Sequence, residues 1–369
     1  MKNILNSTIV KAILRTILIV AILYLFLLSI KLLGHSFKSF GTDFAEALIH
    51  MTSNPFSGLV IGIVATSLIQ SSSTTTSLVV GLVAGGALTL DSAIPVIMGA
   101  NIGTTITNTL VSFGHITNRI EFKRAFGAGI VHDFFNILAV LVLFPIEMFF
   151  HPIKKSAIFL ESVFSGVGGY SAFNPLKYIL DPVIDLVDSF FNLFPYSYII
   201  LMIFALILLF LSLSLLVKTI RTLVVTRLEI IVNQYLFKNA FIGFIFGIII
   251  TATVQSSSVT TSLIIPLAGA GIITVIQLFP YTLGANIGTT VTALLAAMTT
   301  QNPIAVTVAF SHLCFNVFGI VILYPFKFIP INLAIYVGDK AGESTKNLVL
   351  FIVAYLSIYF IPLILIFLT

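Results

Sequence analysis

A duplicated segment constrains this chain more than any other feature of its sequence. Residues 62–110 align without a gap to residues 247–295. Both copies contain a hydroxyl-rich octet, QSSSTTTS at 70–77 and QSSSVTTS at 255–262, and both contain the sequence GANIGTT further on. A chance repeat of this quality is very improbable, so we expect two halves with the same order of structural elements.

Both octets lie in sequence that is too apolar for a water-soluble protein. Of 369 residues, 58% are hydrophobic and only 8% are charged, whereas soluble domains have roughly 25% charged residues. The runs that are long enough to span a bilayer, about 20 residues each, are 12–33, 126–150, 196–217, 304–326 and 347–368. We therefore expect an all-α polytopic membrane protein. Its net charge of +5 requires no nucleic acid, because cytoplasmic Lys and Arg residues explain it.

The repeat divides the chain into six predicted segments. They are 1–55, an N-terminal spanning helix and amphipathic segment; 56–150, the first repeat; 151–195, an extracytoplasmic linker; 196–240, a spanning helix and a cytoplasmic amphipathic helix; 241–326, the second repeat; and 327–369, a C-terminal segment with the last transmembrane helix. In each repeat, the octet lies in a hairpin whose arms are too short to span, which predicts a re-entrant element. Each repeat is also expected to contain a transmembrane helix interrupted at GANIGTT.

The loop charges predict the orientation of the chain. Basic residues concentrate near the N-terminus, in 114–124 and in 218–240, whereas 151–195 holds four acids against three bases. The positive-inside rule then places the N-terminus on the cytoplasmic side of the membrane. We expect that membrane to be the inner (plasma) membrane. Each half crosses the membrane three times, so the second copy enters with inverted topology. Inverted repeats are typical of secondary transporters.

The octets are predicted to bind an anion between the two halves. Polar backbone at membrane depth survives only where it is buried in protein or lines a cavity. Hydroxyl groups and the N–H groups at a helix start can hold a phosphate-like ion without Arg or Lys. The alternative is that the hydroxyls bond their own backbone or join helices. The predicted anion-binding residues are Gln70, Ser71, Ser72, Ser73, Gln255, Ser256, Ser257 and Ser258.

The GANIGTT segments and their surroundings are predicted to bind a cation. Amide and hydroxyl oxygens suit a hard monovalent ion such as Na⁺, and they suit Ca²⁺ or Zn²⁺ poorly because clustered carboxylates and thiolates are missing. The predicted cation-binding residues are Thr74, Asn101, Thr104, Thr105, Thr109, Asp133, Asn136, Asn286, Thr289, Thr290, Thr292 and Asn316. Asn136 and Asn316 occupy equivalent positions, and they either bind the cation or join helices.

Asp133 is an acidic residue within a predicted spanning helix, and the second half has Leu313 in its place. An intramembrane carboxylate indicates a functional site. The alternative is an ion pair with Arg119 or Arg124. The neighbouring His132 and its equivalent His312 are expected either to pack with a hydrogen bond or to relay protons.

Together these motifs resemble those of the type II sodium–phosphate cotransporters. The resemblance covers residues 56–148 and 241–326 and includes RAFGAGIVHDFFNILAVLVLFPIE at 124–147. It implies uptake of inorganic phosphate, mainly HPO₄²⁻, driven by inward Na⁺, with phosphate and Na⁺ bound at both QSSS hairpins. Electrogenic members have the Asp that Asp133 matches. The lone Cys314 excludes the disulfide-bearing outer loop of animal members and indicates a prokaryotic member.

The sequence therefore predicts an electrogenic sodium-coupled phosphate symporter of elevator type, with Na⁺ as the coupling ion and no cofactor. Three alternatives remain: a transporter of another small anion, a phosphate exporter, and a sensor that binds phosphate without moving it. A homodimer is a further hypothesis, because elevator transporters need a static scaffold. An enzyme is not expected, since no catalytic constellation occurs in a consistent pocket.

Overall fold

The computed structural model describes residues 8–39, 52, 54–231 and 239–368, and every regular element in these ranges is a helix. The first half contains α1 (Thr8–Ser39), α2 (Pro55–Ile69), α3 (Ser72–Ala84), α4 (Leu90–Gly103), α5 (Ile106–Ser112) and α6 (Arg119–Phe150). The linker contains α7 (Pro152–Gly166) and α8 (Gly169–Phe191). The second half contains α9 (Ser197–Ile231), α10 (Ala240–Val254), α11 (Ser257–Ser262), α12 (Ile265–Gly269), α13 (Val275–Thr300) and α14 (Pro303–Leu323). The C-terminal segment contains α15 (Phe328–Glu343) and α16 (Thr345–Leu368).

Five helical segments of the described ranges are long and apolar enough to cross a membrane. They are Ile13–Ser39, Leu90–His115, Arg119–Phe150, Ser197–Leu216 and Pro303–Phe326. Helices α1 and α9 pack against each other and expose apolar side chains on their outer faces, for example Ile17 and Ile207. The chain is thus an all-helical, multi-pass membrane protein, as the sequence predicts.

Each octet begins at the turn of a helical hairpin. Helices α2 and α10 are 15 residues long, about 22 Å at 1.5 Å per residue, which is shorter than a hydrocarbon core of about 30 Å. Gln70 and Gln255 end these helices in the left-handed conformation, with φ angles of 57° and 58°. Ser71 and Ser256 then cap the following helices, α3 and α11. The two copies of the octet therefore fold alike at the turn.

A pair of threonine hydroxyls joins the two arms of each hairpin. Thr66 bonds to Thr75 at 2.9 Å in the first copy, and Thr251 bonds to Thr260 at 2.8 Å in the second. All four residues are buried. These bonds satisfy polar groups that would otherwise be costly to bury, and they hold the arms together just beyond the turn.

The predicted interruption at GANIGTT occurs in the first copy only. Helix α4 ends at Gly103, and Thr104 and Thr105 separate it from α5. The prediction is wrong for the second copy, because α13 runs without a break from Val275 to Thr300. The glycines serve packing instead: a Cβ atom on Gly284 would lie 2.0 Å from a carbonyl oxygen of α10. Glycine here permits close backbone contact between two helices and does not end the helix.

The hairpins interlock the two halves of the chain. Helix α3, the second arm of the first hairpin, packs against α13 and α14. Helix α12, in the second arm of the second hairpin, packs against α6. Each first arm packs against the GANIGTT helix of its own half, α2 against α4 and α10 against α13. The octet turns are therefore held between helices of both halves.

The linker also packs on the bundle. Lys31 Nζ lies 2.6 Å from Asp181 Oδ1, and His35 Nε2 lies 3.1 Å from Asp188 Oδ1. Asp181 and Asp188 of α8 therefore face α1. The amphipathic segments predicted in 1–55 and 196–240 lie partly outside the described residues, and the backbone of 218–231 continues α9.

Candidate anion and cation site

The two octets meet in a buried cluster of hydroxyl groups. Ser73 Oγ donates to the backbone oxygen of Gln255 at 3.0 Å. Thr104, at the break between α4 and α5, donates to Ser72 Oγ at 2.8 Å. Ser258 Oγ donates to the Thr104 backbone oxygen at 3.2 Å, and the two hydroxyl oxygens lie 3.5 Å apart. Residues of both octets and of the first GANIGTT segment thus share one cluster.

Two of the predicted anion-binding hydroxyls are helix caps. Ser71 Oγ accepts from the backbone N–H of Thr74 at 3.2 Å, and Ser256 Oγ accepts from that of Val259 at 3.3 Å. Both serines thus bond to the local backbone, and their role in anion binding stays a prediction. A capping hydroxyl satisfies only part of the first helical turn, so other N–H groups there remain available to an anion.

The two glutamines of the octets differ in their surroundings. Gln70 is exposed, whereas Gln255 is 7% exposed. Among the described residues, no hydrogen-bond partner reaches Gln255 Oε1. A buried amide oxygen without a partner is costly, so this position favours a bound group that can interact with it. Ser257 is buried as well, at the start of α11.

A chain of histidine and asparagine side chains crosses between the halves. His132 Nε2 lies 2.5 Å from Asn286 Oδ1, and the Asn286 amide donates to Asn136 Oδ1 at 2.8 Å. The Asn136 amide donates to the backbone oxygen of Asn101 at 2.6 Å. His312 Nε2 lies 3.4 Å from Asn101 Oδ1. The expectation that His132 is packed and hydrogen-bonded is confirmed.

Asn136 therefore joins helices, and it does so among residues predicted to bind the cation. All five side chains of this chain are 3% exposed or less. The amide oxygens of Asn101 and Asn286 face histidine nitrogens in this arrangement. Each amide oxygen has two lone pairs, so a cation that bound it could share the oxygen with the histidine.

Asp133 lies in a cage of three hydroxyl groups. Oδ1 accepts from Thr105 and, at 2.9 Å, from the hydroxyl of Tyr355, and Oδ2 accepts from Thr109 at 3.2 Å. Asp133 is 2% exposed. Within the described ranges no ion pair joins it to a basic side chain, so the hydroxyl groups, and not an arginine, offset its burial.

The remaining predicted cation-binding residues fall into different environments. Thr289 and Thr290 donate to carbonyl oxygens of their own helix, at 2.9 Å and 2.7 Å. Thr74 donates to Ser71 Oγ at 2.9 Å. Thr292 Oγ1 and Asn316 Oδ1 are buried, and no partner reaches them among the described residues. The structure therefore divides the predicted set and does not gather it into one cage.

Two residues of the site were missed by the sequence reasoning. Tyr355 lies outside both repeats, in an apolar helix with two tyrosines, so the duplication did not single it out. Asn108 accepts from Thr261 at 2.9 Å and so joins the first half to the second octet. The second repeat has Ala293 at the position equivalent to Asn108, so the duplication did not single it out. A polar side chain within an apolar segment was the only available indication for either residue.

The fold and the site together define a class of protein: a polytopic membrane protein whose two halves enclose a buried polar centre, as membrane transporters do. The sequence matches the Na⁺/Pi-cotransporter family over residues 25–167 and 208–327. The chain belongs to this family. It is a family of transporters and not of enzymes, as the sequence predicts.

Several curated proteins are similar to this chain. The sodium-dependent phosphate transport protein 2B of Homo sapiens is 31% identical over 95% of this chain and 64% of its own length. The sodium-dependent phosphate transport proteins 2A of Ovis aries and Oryctolagus cuniculus are 32% and 33% identical, each over 94% of this chain and 66% of their own length. The chain thus spans a little under two thirds of the relatives it matches. No solved structure gives a significant match.

Proposed function

We propose that this protein is a sodium-coupled symporter of inorganic phosphate. The observation that supports this most strongly is the buried contact between the octets, in which Ser72, Ser258 and Thr104 form one hydroxyl cluster. The relatives named above are sodium-dependent phosphate transport proteins, and the octets are part of the segments that match the family.

Phosphate suits the chemistry of this cluster. Its oxygens accept hydrogen bonds, and serine and threonine hydroxyls can turn their protons toward it. The start of α3 adds backbone N–H groups and the partial positive charge of a helix N-terminus. The octets contain no Lys or Arg, so the anion's charge is balanced by dipoles and by co-bound Na⁺. By linkage, phosphate then raises the affinity for Na⁺ by the same factor by which Na⁺ raises that for phosphate.

Two regions next to the octets are proposed to bind Na⁺. One is the set of amide oxygens around Asn101, Asn136 and Asn286, and the other is the hydroxyl cage of Asp133. Both contain uncharged oxygens of the kind that bind Na⁺, in the second region those of Thr105 and Thr109, and Asp133 adds one negative charge. We infer that this charge makes transport electrogenic, because an additional Na⁺ then accompanies each phosphate.

The proposed transport cycle uses the interlocked hairpins. The two repeats are inferred to lie in the membrane with opposite orientations and re-entrant hairpins, with the N-terminus in the cytoplasm of the plasma membrane. Helices α3 and α12 would then move with the bound ions against the scaffold of α1 and α9, as in an elevator. This division is supported by the large exposed apolar faces of α1 and α9, which a static lipid-facing scaffold needs.

Uptake of ³²P-phosphate into proteoliposomes tests the proposal. The purified protein is reconstituted, and an inward Na⁺ gradient is compared with an equal K⁺ gradient. Uptake with Na⁺ alone is expected. Equal uptake with both cations would contradict sodium coupling, and phosphate binding without uptake would instead favour a sensor.

A further inference from the structure

We propose that Tyr355 positions the carboxylate of Asp133 and competes with the cation that binds there. This inference rests on the proposed function, because it concerns one of the proposed Na⁺ sites. It adds a residue from outside both repeats to that site. It also gives the C-terminal helix α16 a part in setting the affinity for the coupling ion.

The hydrogen bond from Tyr355 acts on a buried charge. The Tyr355 hydroxyl lies 2.9 Å from Asp133 Oδ1, the same oxygen that accepts from Thr105. Asp133 is 2% exposed, and a buried carboxylate is costly unless its oxygens are hydrogen-bonded. Each hydroxyl donor therefore stabilises the carboxylate in its present orientation.

Tyr355 is held in place by the packing of α16. Phe351 and Ile352, on the preceding turn, pack together with Tyr355 against the core cluster that includes Phe126, Ile130 and Phe135 of α6. Helix α16 also contacts α2 and α15. The tyrosine ring thus has a packing role of its own, which Phe preserves, and only its hydroxyl reaches Asp133.

The second half of the chain has no equivalent of this arrangement. Leu313 occupies the position that corresponds to Asp133, and Leu294 corresponds to Thr109. The carboxylate is therefore a departure from the internal symmetry, and Tyr355 donates directly to it.

Competition follows from the shared oxygen. A cation at Asp133 Oδ1 and the hydroxyl proton of Tyr355 both present positive charge to the same lone pairs. Removing the hydroxyl destabilises the Na⁺-free state of Asp133, because the carboxylate loses a hydrogen bond. The Na⁺-bound state is destabilised less, because the ion supplies the missing interaction. Tyr355→Phe is therefore expected to lower the Na⁺ concentration for half-maximal binding about tenfold, the effect of one hydrogen bond to a charged group.

Thermal unfolding of the purified full chain in detergent tests this without transport. The unfolding temperature is followed as Na⁺ replaces choline at constant ionic strength, since a bound ion stabilises the folded state by mass action. Wild type is compared with Tyr355→Phe and with Tyr178→Phe, a tyrosine that is 80% exposed. A half-maximal Na⁺ concentration about tenfold lower in Tyr355→Phe alone is expected. An unchanged value would overturn the inference, and a higher value would too, because it would make the hydroxyl a ligand of Na⁺.

The Asp133→Asn protein serves as a second background, which shows whether Tyr355→Phe changes Na⁺ binding through Asp133 or by another route. In Asp133→Asn the carboxylate charge is gone, so adding Tyr355→Phe is expected to change the Na⁺ response no further; a persistent shift would overturn the inference. A wild-type Na⁺ response that Tyr355→Phe leaves unchanged would overturn this inference alone. No Na⁺ response in the wild-type protein would overturn the proposed function as well.

Discussion

His132 of the first half and Asn286 of the second half form a hydrogen bond of 2.5 Å across the centre of the bundle. The Asn286 amide nitrogen donates to Asn136 at 2.8 Å, so its oxygen faces the histidine. Because an amide oxygen only accepts, Nε2 of His132 donates in this bond. His312 and Asn101 repeat the arrangement with the halves exchanged, at the longer distance of 3.4 Å.

The two histidines are expected to contribute unequally to stability. His132→Ala and His312→Ala create cavities of the same size at fully buried positions, 1% and 0% exposed, so their cavity costs are similar. The shorter bond of His132 is worth about 1 kcal/mol more. Thermal unfolding of both variants in the same detergent is the measurement. A lower unfolding temperature for His132→Ala is expected, and equal losses would contradict the difference between the bonds.

Glycine is required where the first hairpin arm meets the GANIGTT helix. A Cβ atom on Gly99 would lie 2.0 Å from the backbone oxygen of Leu59, whereas one on Gly114 would meet nothing within 4 Å. Gly99→Ala is expected to lower the free energy of unfolding by about 1–3 kcal/mol or more, which is the usual cost of overpacking. Gly114→Ala is the matched control and is expected to be neutral. Yield of monodisperse protein and its unfolding temperature report both, and a well-folded Gly99→Ala protein would contradict the close packing.

Asp133 is expected to determine the charge moved with each phosphate. Asp133→Gly removes the carboxylate from its hydroxyl cage, so one cation fewer should accompany the anion. Each net charge moved is worth about 2.3 kcal/mol per 100 mV. The measurement is current and ³²P uptake in the same proteoliposomes, with Asp339→Asn as a control. Uptake with a lower charge-to-phosphate ratio is expected, and an unchanged ratio would remove Asp133 from the coupling.

Glu147 is expected to hold the first half to the linker. It is 1% exposed, and its two oxygens accept from the backbone N–H groups of Ile153 and Lys154 at 2.7 Å and 3.1 Å. It therefore caps α7 from the end of α6. Glu147→Ala removes charged hydrogen bonds that are worth about 1.5–3 kcal/mol each, so the unfolding temperature should fall by several degrees.

The control for Glu147 is Glu343→Ala, which breaks an exposed pair with Lys340 at 3.0 Å. Exposed ion pairs contribute little, so this variant should unfold at nearly the wild-type temperature. Equal losses from the two substitutions would show that the buried contacts of Glu147 add nothing to stability.

The sequence predicted the two hairpin turns, which the repeat encodes in both halves. The turn at Gln70 and its equivalent Gln255 could be located because the polar octet is incompatible with lipid. The continuity of α13 could not be predicted, because a glycine that ends a helix and one that admits a neighbouring helix, such as Gly284, look the same in one sequence. Tyr355 could not be found for a different reason: its role depends on where α16 packs, which is a tertiary contact without local pattern.

Both octets are proposed to form a single phosphate site, and equilibrium binding of ³²P-phosphate to the purified protein tests this most directly. Binding is measured in Na⁺ and in K⁺ for the wild type, Ser72→Ala and Ser258→Ala, because these hydroxyls come from different octets and both contact Thr104. One phosphate per chain is predicted in Na⁺, with each substitution alone weakening that site. Two phosphates per chain, of which each substitution removes one, would contradict a shared site, as would binding that neither substitution changes.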